Sequence, residues 1–236
     1  MYCGNSKIEK KVTLILAAAG VGKRMGLSYP KQFLEYNNKP LFVTPLEVAE
    51  SSKIIDNIII VTNKDNIQLV EDICKKYSIT KVKEVVAGGK ERQNSIYNAL
   101  RKDENSDIIL VQDGVRPFLK EKYIEKSCEL LDNEEDLVGV VVGVPVKDTI
   151  KVVNEEGIII STPVRSTLVA AQTPQVFRGK ILIEAYEKAK DENFLGTDDS
   201  SLVEKYGGKV KISLGNYGNI KITTIEDISF LKREGD

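Results

Sequence analysis

Histidine is missing from all 236 residues. Its absence excludes a Ser-His-Asp triad, a Cys-His pair and a histidine-ligated zinc. Any chemistry has to run on carboxylates, lysines, arginines, hydroxyls, backbone groups or an oxygen-bound metal. Cysteine is scarce: Cys3, Cys74 and Cys128 are widely separated, odd in number and never arranged as CxxC. Neither a disulfide framework nor a zinc cluster is indicated, and reduced thiols in a cytoplasmic protein fit best. A basic surplus is also lacking. Thirty-four Lys and Arg against 35 Asp and Glu leave a net charge of −1, which argues against a nucleic-acid partner or a polybasic membrane contact. No apolar run approaches the ~20 residues needed to cross a bilayer.

What is present is ordinary globular material, 42% apolar and 29% charged, in a length that suits one or two domains and a sizeable core. The N-terminus imitates a secretory signal: Lys7, Lys10 and Lys11 precede the apolar run Val12 to Ala19. Gly20, Gly22, Lys23 and Arg24 follow at once, however. A buried first strand opening into a glycine loop accounts for all of them, so that reading is preferred.

Strand-like runs at Val12–Ala17, Ile58–Val61, Lys81–Val86 and Ile108–Val111 alternate with helical patterns at Pro40–Ser52, Asp65–Tyr77 and Gln93–Leu100. This alternation predicts βαβ units, a mostly parallel twisted sheet and helices on both faces. Ligands bind beyond the carboxyl ends of such strands. The loops Gly20–Gly26, Gly88–Arg92 and Asp113–Arg116 all fall there and are expected to share one crevice. The pattern then changes. Val138–Val146 is a long β run, and Lys147–Val153 with Ile158–Thr162 reads as a hairpin around Asn154–Gly157. A lone two-stranded hairpin is marginal in water, so it should pack on the main body or on another subunit. Helices at Lys180–Lys190 and near Ser200–Tyr206 precede closing strands at Lys209–Leu214 and Ile220–Thr223. The acidic clusters at Asp132–Asp136 and Glu155–Glu156 read as solvated surface.

The first loop does not match the common nucleotide loops. Aligned as a Walker A motif on Gly22–Lys23, it has Ala17 for the first glycine and Arg24 for the hydroxyl residue. Gly20, Gly22 and Gly26 form GxGxxxG, one residue too long for a dinucleotide fingerprint. What it offers is small residues beside Lys23, Arg24 and Lys31, a setting suited to a triphosphate. Alone, it is equally compatible with a glycine turn flanked by solvated cations.

Seven ordered motifs carry a resemblance along nearly the whole chain. They begin with Leu16-Ala-Ala-Ala-Gly20-x-Gly22-x-Arg24-Met25 and its follower Pro30-Lys31-Gln32. Next come Gly88-Gly89-x-Glu91-Arg92-x-x-Ser95 and Asp113-x-x-Arg116-Pro117. Pro145–Lys151, Gln172-Thr173-Pro174-Gln175, Thr197-Asp198-Asp199 and Asn219–Thr223 complete the set. Together they resemble the nucleoside-triphosphate sugar-phosphate transferases, and more closely the 2-C-methyl-D-erythritol 4-phosphate cytidylyltransferase family of the non-mevalonate isoprenoid route.

The resemblance implies a single α/β nucleotidyltransferase domain over residues 1–236, three-layered and Rossmann-like. A β-arm near 145–175 would protrude from it to form a homodimer. It implies CTP and a small polyol phosphate as substrates, with Mg²⁺ held by Asp113. Ala18, Ala19, Gly20, Gly22 and Lys23 would line the triphosphate, and Gly89, Arg92 and Ser95 would hold the nucleotide. Arg24 and Lys31 would stabilise charge building at the α-phosphorus and on pyrophosphate. Arg116, Thr149, Arg165 and Thr173 would bind the sugar phosphate, with Arg165 and Lys221 positioning it. The family often carries histidine before this aspartate, where this chain has Gln112. An ionised phosphate oxygen as nucleophile needs no general base, which suits a chain without histidine. Two other readings stay open: ribitol-5-phosphate cytidylyltransferase on the same fold, and a nucleotide-binding module without turnover.

Overall fold

The computed structural model describes residues 10–20, 29–103 and 105–231. Eleven strands occur among them: β1 (Val12–Ala17), β2 (Glu35–Tyr36), β3 (Lys39–Pro40), β4 (Asn57–Thr62), β5 (Val82–Ala87), β6 (Ile108–Asp113), β7 (Leu137–Pro145), β8 (Val152–Val153), β9 (Ile159–Ser161), β10 (Val169–Arg178) and β11 (Lys209–Leu214). Seven form one sheet in the order β11-β7-β10-β6-β1-β4-β5. The β1 strand pairs in parallel with β4 and β6, so the signal-like apolar run is the heart of the sheet. Only β10 runs antiparallel, between β6 and β7.

Helices follow as α1 (Val43–Ser51), α2 (Ile67–Lys76), α3 (Arg92–Leu100), α4 (Glu121–Asn133), α5 (Gly179–Asp191), α6 (Asp199–Lys205) and α7 (Ile228–Leu231). Strand periodicity divides the core between the two faces. Leu14, Ile58, Ile60 and Leu110 lie in one buried cluster with residues of α1, α2 and α4. Their strand neighbours Ile15, Ile59, Val61 and Ile109 lie in the other with residues of α3, α5 and α6. The result is the expected three-layer α/β architecture.

Three features depart from the sequence reading. The α4 helix buries Tyr123, Ile124, Cys128 and Leu131, an amphipathic stripe that the reading passed over. The β10 strand was also missed, because Gln172, Thr173 and Pro174 interrupt its apolar pattern. Its pairing with β7 shifts register between Ala171 and Gln175. Finally, Ile220–Thr223 is not a strand. Asn219 and Ile222 are buried, but Ile222 N–H bonds only to the Val115 carbonyl, at 2.9 Å. That segment is an extended clasp over the site rather than part of the sheet.

The acidic run at the end of α4 and just beyond it is surface, as expected, and is paired: Asp132 with Lys10, Glu134 with Lys211 and Asp136 with Lys209. The β8–β9 hairpin forms where predicted. Gly157, at φ +80°, turns it, and the Asn154 side chain accepts the N–H groups of Glu156 and Ile158. Its apolar side chains Val153, Ile158, Ile159 and Ile160 are all at least half exposed in the single chain. Among the described residues, no helix is long and apolar enough to cross a membrane.

Candidate active site

The carboxyl ends of β1, β5 and β6 open on one crevice of about 310 Å³. Ala18, Ala19 and Gly20 form one wall, Gly89, Arg92 and Ser95 another, and Lys31, Asp113 and Lys221 the floor. The predicted convergence of loops is therefore observed for their described parts. Gly22, Lys23 and Arg24 lie outside the described residues.

Small residues are required at the β5–α3 turn. A Cβ on Gly88 would stand 2.6 Å from Ala19 Cβ and 3.0 Å from Ser95 Oγ. One on Gly89 would meet Asn94 Cβ at 2.5 Å. The Gly89 N–H donates to Ser95 Oγ at 3.0 Å, and that hydroxyl donates to the Glu91 carbonyl. Glu91 and Asn94 form a reciprocal cap on α3. The cap fixes the backbone of Arg92, the first residue of the helix.

Asp113, the last residue of β6, is 5% exposed and is the electrostatic centre. Lys221 Nζ lies 2.9 Å from its Oδ2, Arg116 Nε 3.4 Å from the same oxygen, and Arg92 Nε 3.5 Å from Oδ1. Burial pushes the Asp113 carboxyl up, but Arg92, Lys221 and Arg116 outweigh it and hold it well below the usual carboxylate range. Arg92 also forks onto Asp199, with Nη1 at 3.0 Å from Oδ1 and Nη2 at 2.7 Å from Oδ2. Burial alone would lower the Arg92 pKa; Asp199 and then Asp113 raise it instead.

The remaining parts lock this cluster in place. Arg116 donates to the Asn219 carbonyl at 2.7 Å and reaches the Ala171 carbonyl at 3.5 Å. Burial lowers its pKa, with Asp113 offsetting only part. Thr173 Oγ1 accepts the Asp113 N–H at 3.1 Å, and Asn219 Nδ2 donates to the Thr173 carbonyl at 2.9 Å. Gln112 Nε2 donates to the carbonyls of Asp113 and Arg116, tying down the loop that follows β6. Lys31 is 9% exposed and donates to the Ile222 carbonyl at 3.0 Å, while Gln32 donates to the Ala18 carbonyl at 2.6 Å. Among the residues that line the crevice, Lys31, Lys90, Arg92 and Lys221 outnumber Glu91 and Asp113, an excess of two positive charges. A polyphosphate suits such a surplus.

Not every predicted residue is brought here. Thr149 and Arg165 are exposed on the arm side and do not border the crevice within the single chain. Arg165 Nη1 donates to the Lys147 carbonyl at 3.1 Å. Two residues that sequence reasoning did not assign are central: Asp199, fully buried, and Tyr186, whose hydroxyl donates to Asp199 Oδ1 at 2.5 Å. The Thr197-Asp198-Asp199 motif pointed to the first; nothing local pointed to the second.

A family model for 2-C-methyl-D-erythritol 4-phosphate cytidylyltransferase (IspD) matches residues 12–232. The chain belongs to this family. The cytidylyltransferase of that name from Fusobacterium nucleatum is 52% identical over 233 residues, covering 98% of this chain and 100% of the relative. That of Alkaliphilus metalliredigens is 48% identical over 223 residues, covering 94% and 91%. Among solved structures, the 4-diphosphocytidyl-2C-methyl-D-erythritol synthase of Anaerococcus prevotii superposes with a TM-score of 0.83 at 34% identity, covering 95% of this chain and 98% of that one. These cytidylyltransferases match the chain over at least 94% of its length, so the resemblance carried by the seven motifs extends across the fold.

Proposed function

We propose that this chain transfers the cytidylyl group of CTP to 2-C-methyl-D-erythritol 4-phosphate. A phosphate oxygen of the acceptor bonds to the α-phosphorus, the bond to the β-phosphate breaks, and pyrophosphate leaves. The products are pyrophosphate and 4-diphosphocytidyl-2-C-methyl-D-erythritol. The observation that carries this reading is the convergence of Lys31, Arg92 and Lys221 on the crevice around the buried carboxylate Asp113. The acceptor phosphate is already ionised, so catalysis reduces to positioning and to stabilising charge on non-bridging oxygens and the leaving group.

Mg²⁺ fits this donor set in a limited way. Among the described residues, no group of three or more Cys, Asp or Glu is placed to hold an ion. Asp113 supplies one hard, ionised oxygen ligand beside the space for a triphosphate. One carboxylate plus substrate phosphates and water is how Mg²⁺ is commonly held, so the ion belongs with the nucleotide. When bound, it would neutralise triphosphate charge. The chain's own part is to keep Asp113 ionised and oriented through Arg92, Arg116 and Lys221.

The exposed apolar hairpin supports a homodimer in which the arm of one subunit packs on its partner and brings Thr149 and Arg165 to the acceptor phosphate. Together Val153, Ile158, Ile159 and Ile160 make a surface that favours burial. A cytoplasmic enzyme fits the buried, free thiols Cys74 and Cys128. Pyrophosphate release, measured across a panel of nucleoside triphosphates and polyol phosphates, tests the reading. CTP with 2-C-methyl-D-erythritol 4-phosphate should turn over fastest. Faster turnover with ribitol 5-phosphate would reassign the acceptor, and CTP binding without product would mark a module that has lost catalysis.

A further inference from the structure

Arg92 is held from behind. Its side chain is one-third exposed toward the crevice, but the fork is closed on Asp199, which no solvent reaches. Asp199 in turn receives the hydroxyl of Tyr186, which α5 carries into the core between α3 and α6. Tyr186 is 2% exposed, and Asp199 is the partner of its hydroxyl. The tyrosine, carboxylate and guanidinium form a row that ends at Asp113, through Arg92 Nε at 3.5 Å.

We infer that Tyr186 is a positioning residue for the transfer reaction, acting through Asp199 to fix the Arg92 guanidinium against Asp113. The inference rests on the proposed activity and deepens it. Its physical basis is geometric. A guanidinium has five N–H donors in a rigid fork. With two donors spent on Asp199 and Nε facing Asp113 across an ion pair of 3.5 Å, the other Nη hydrogens remain for the crevice, and their direction follows from how Asp199 lies. Asp199 could rotate about its own side-chain bonds; the Tyr186 hydroxyl, delivered by a packed helix, removes that freedom on the Oδ1 side. Burial, and then Asp199, raise the Tyr186 pKa far above its ordinary value, so the group stays a donor at every working pH. Small displacements of preorganised charge lower the rate of the chemical step more than they weaken binding.

The test compares wild type with Tyr186→Phe, Asp199→Asn and the double variant, with Tyr123→Phe as control. Tyr123 is equally buried, on the opposite face of the sheet, and its hydroxyl has no hydrogen-bond partner among the described residues. Tyr186→Phe should lower kcat by about tenfold while KM for CTP stays within about twofold, since the lost contact acts in the transition state. Tyr123→Phe should leave both constants unchanged. If Tyr186 acts through Asp199, adding Tyr186→Phe to Asp199→Asn should cost less than about twofold more. Equal kcat in wild type and Tyr186→Phe would overturn the inference, as would a full tenfold further loss in the double variant. A wild type that makes no cytidylylated product would instead overturn the proposed activity. Should the variants fail to fold, a crystal structure of the native enzyme with CTP decides. Arg92 still forked on Asp199 beside the Tyr186 hydroxyl supports the role; Arg92 swung away from Asp199 onto the phosphates contradicts it.

Discussion

Lys221 and Asp113 are 108 positions apart in sequence, yet the Lys221 ammonium sits 2.9 Å from the Asp113 carboxylate at the base of the crevice. The lysine comes from the extended clasp after Asn219 and the aspartate from the end of a central strand. With Arg92, the larger influence, Lys221 keeps the buried Asp113 ionised, while the Lys221 side chain itself remains 37% exposed.

Asp113→Asn is expected to abolish measurable transfer and to change acid stability. The Asp113 pKa is depressed in the folded protein. Its contribution to stability is therefore complete above the unfolded value of about 3.9 and is lost as pH falls from there toward the lower folded value. Below the unfolded value, stability should fall more steeply with acid in wild type than in Asp113→Asn. Urea unfolding at a series of pH values checks this; parallel curves would remove Asp113 from the linkage.

Lys31→Ala should lower kcat by ~10²–10³ with a smaller change in KM for CTP, the pattern for a cation that stabilises developing charge. Lys31 is buried and tied to the Ile222 carbonyl, so its ammonium is preorganised. Steady-state kinetics with varied CTP measures the split, and wild-type turnover in the variant would exclude the residue from the mechanism.

Gly88→Ala tests the steric reading of the nucleotide wall. The added methyl would stand 2.6 Å from Ala19 Cβ, so one of the two loops has to move. KM for CTP should rise by about tenfold, since overpacking of this kind commonly costs ~1–3 kcal/mol. An unchanged KM would mean that the close packing of the two loops does not serve nucleotide binding.

The arm can be separated from the crevice. Ile159→Asp places a charge in its exposed apolar strip and should dissociate the proposed homodimer in sedimentation, with loss of transfer. Arg165→Ala should leave the dimer intact and mainly raise KM for the polyol phosphate. A wild type that is monomeric and fully active would exclude a cross-subunit role.

Much of this was legible in the residues themselves. Val12–Ala17 was readable as a buried strand because its run is apolar and the next glycines have a use. The crevice loops followed from the rule that ligands meet the carboxyl ends of parallel strands. The β10 strand was hidden because Pro174 and its polar neighbours break the local period, and its partners, β6 and β7, are far away in sequence. The Ile220–Thr223 segment looked like a strand from β-branched composition, but it spends its backbone on Val115 and Lys31 instead. Asp199 and Tyr186 could not be paired from spacing, since only the packing of α5 against α6 brings them together.

In a chain that has no histidine, fixed cations carry the transfer step with no proton in flight. Single-turnover rates in H₂O and D₂O, at matched positions on the pH plateau, decide whether this is so. A rate ratio of about 1 is expected, because an ionised phosphate attacks and an ionised pyrophosphate leaves; a ratio of about 2 or more would mean that a proton moves in the rate-limiting transition state and that fixed cations alone do not carry the step.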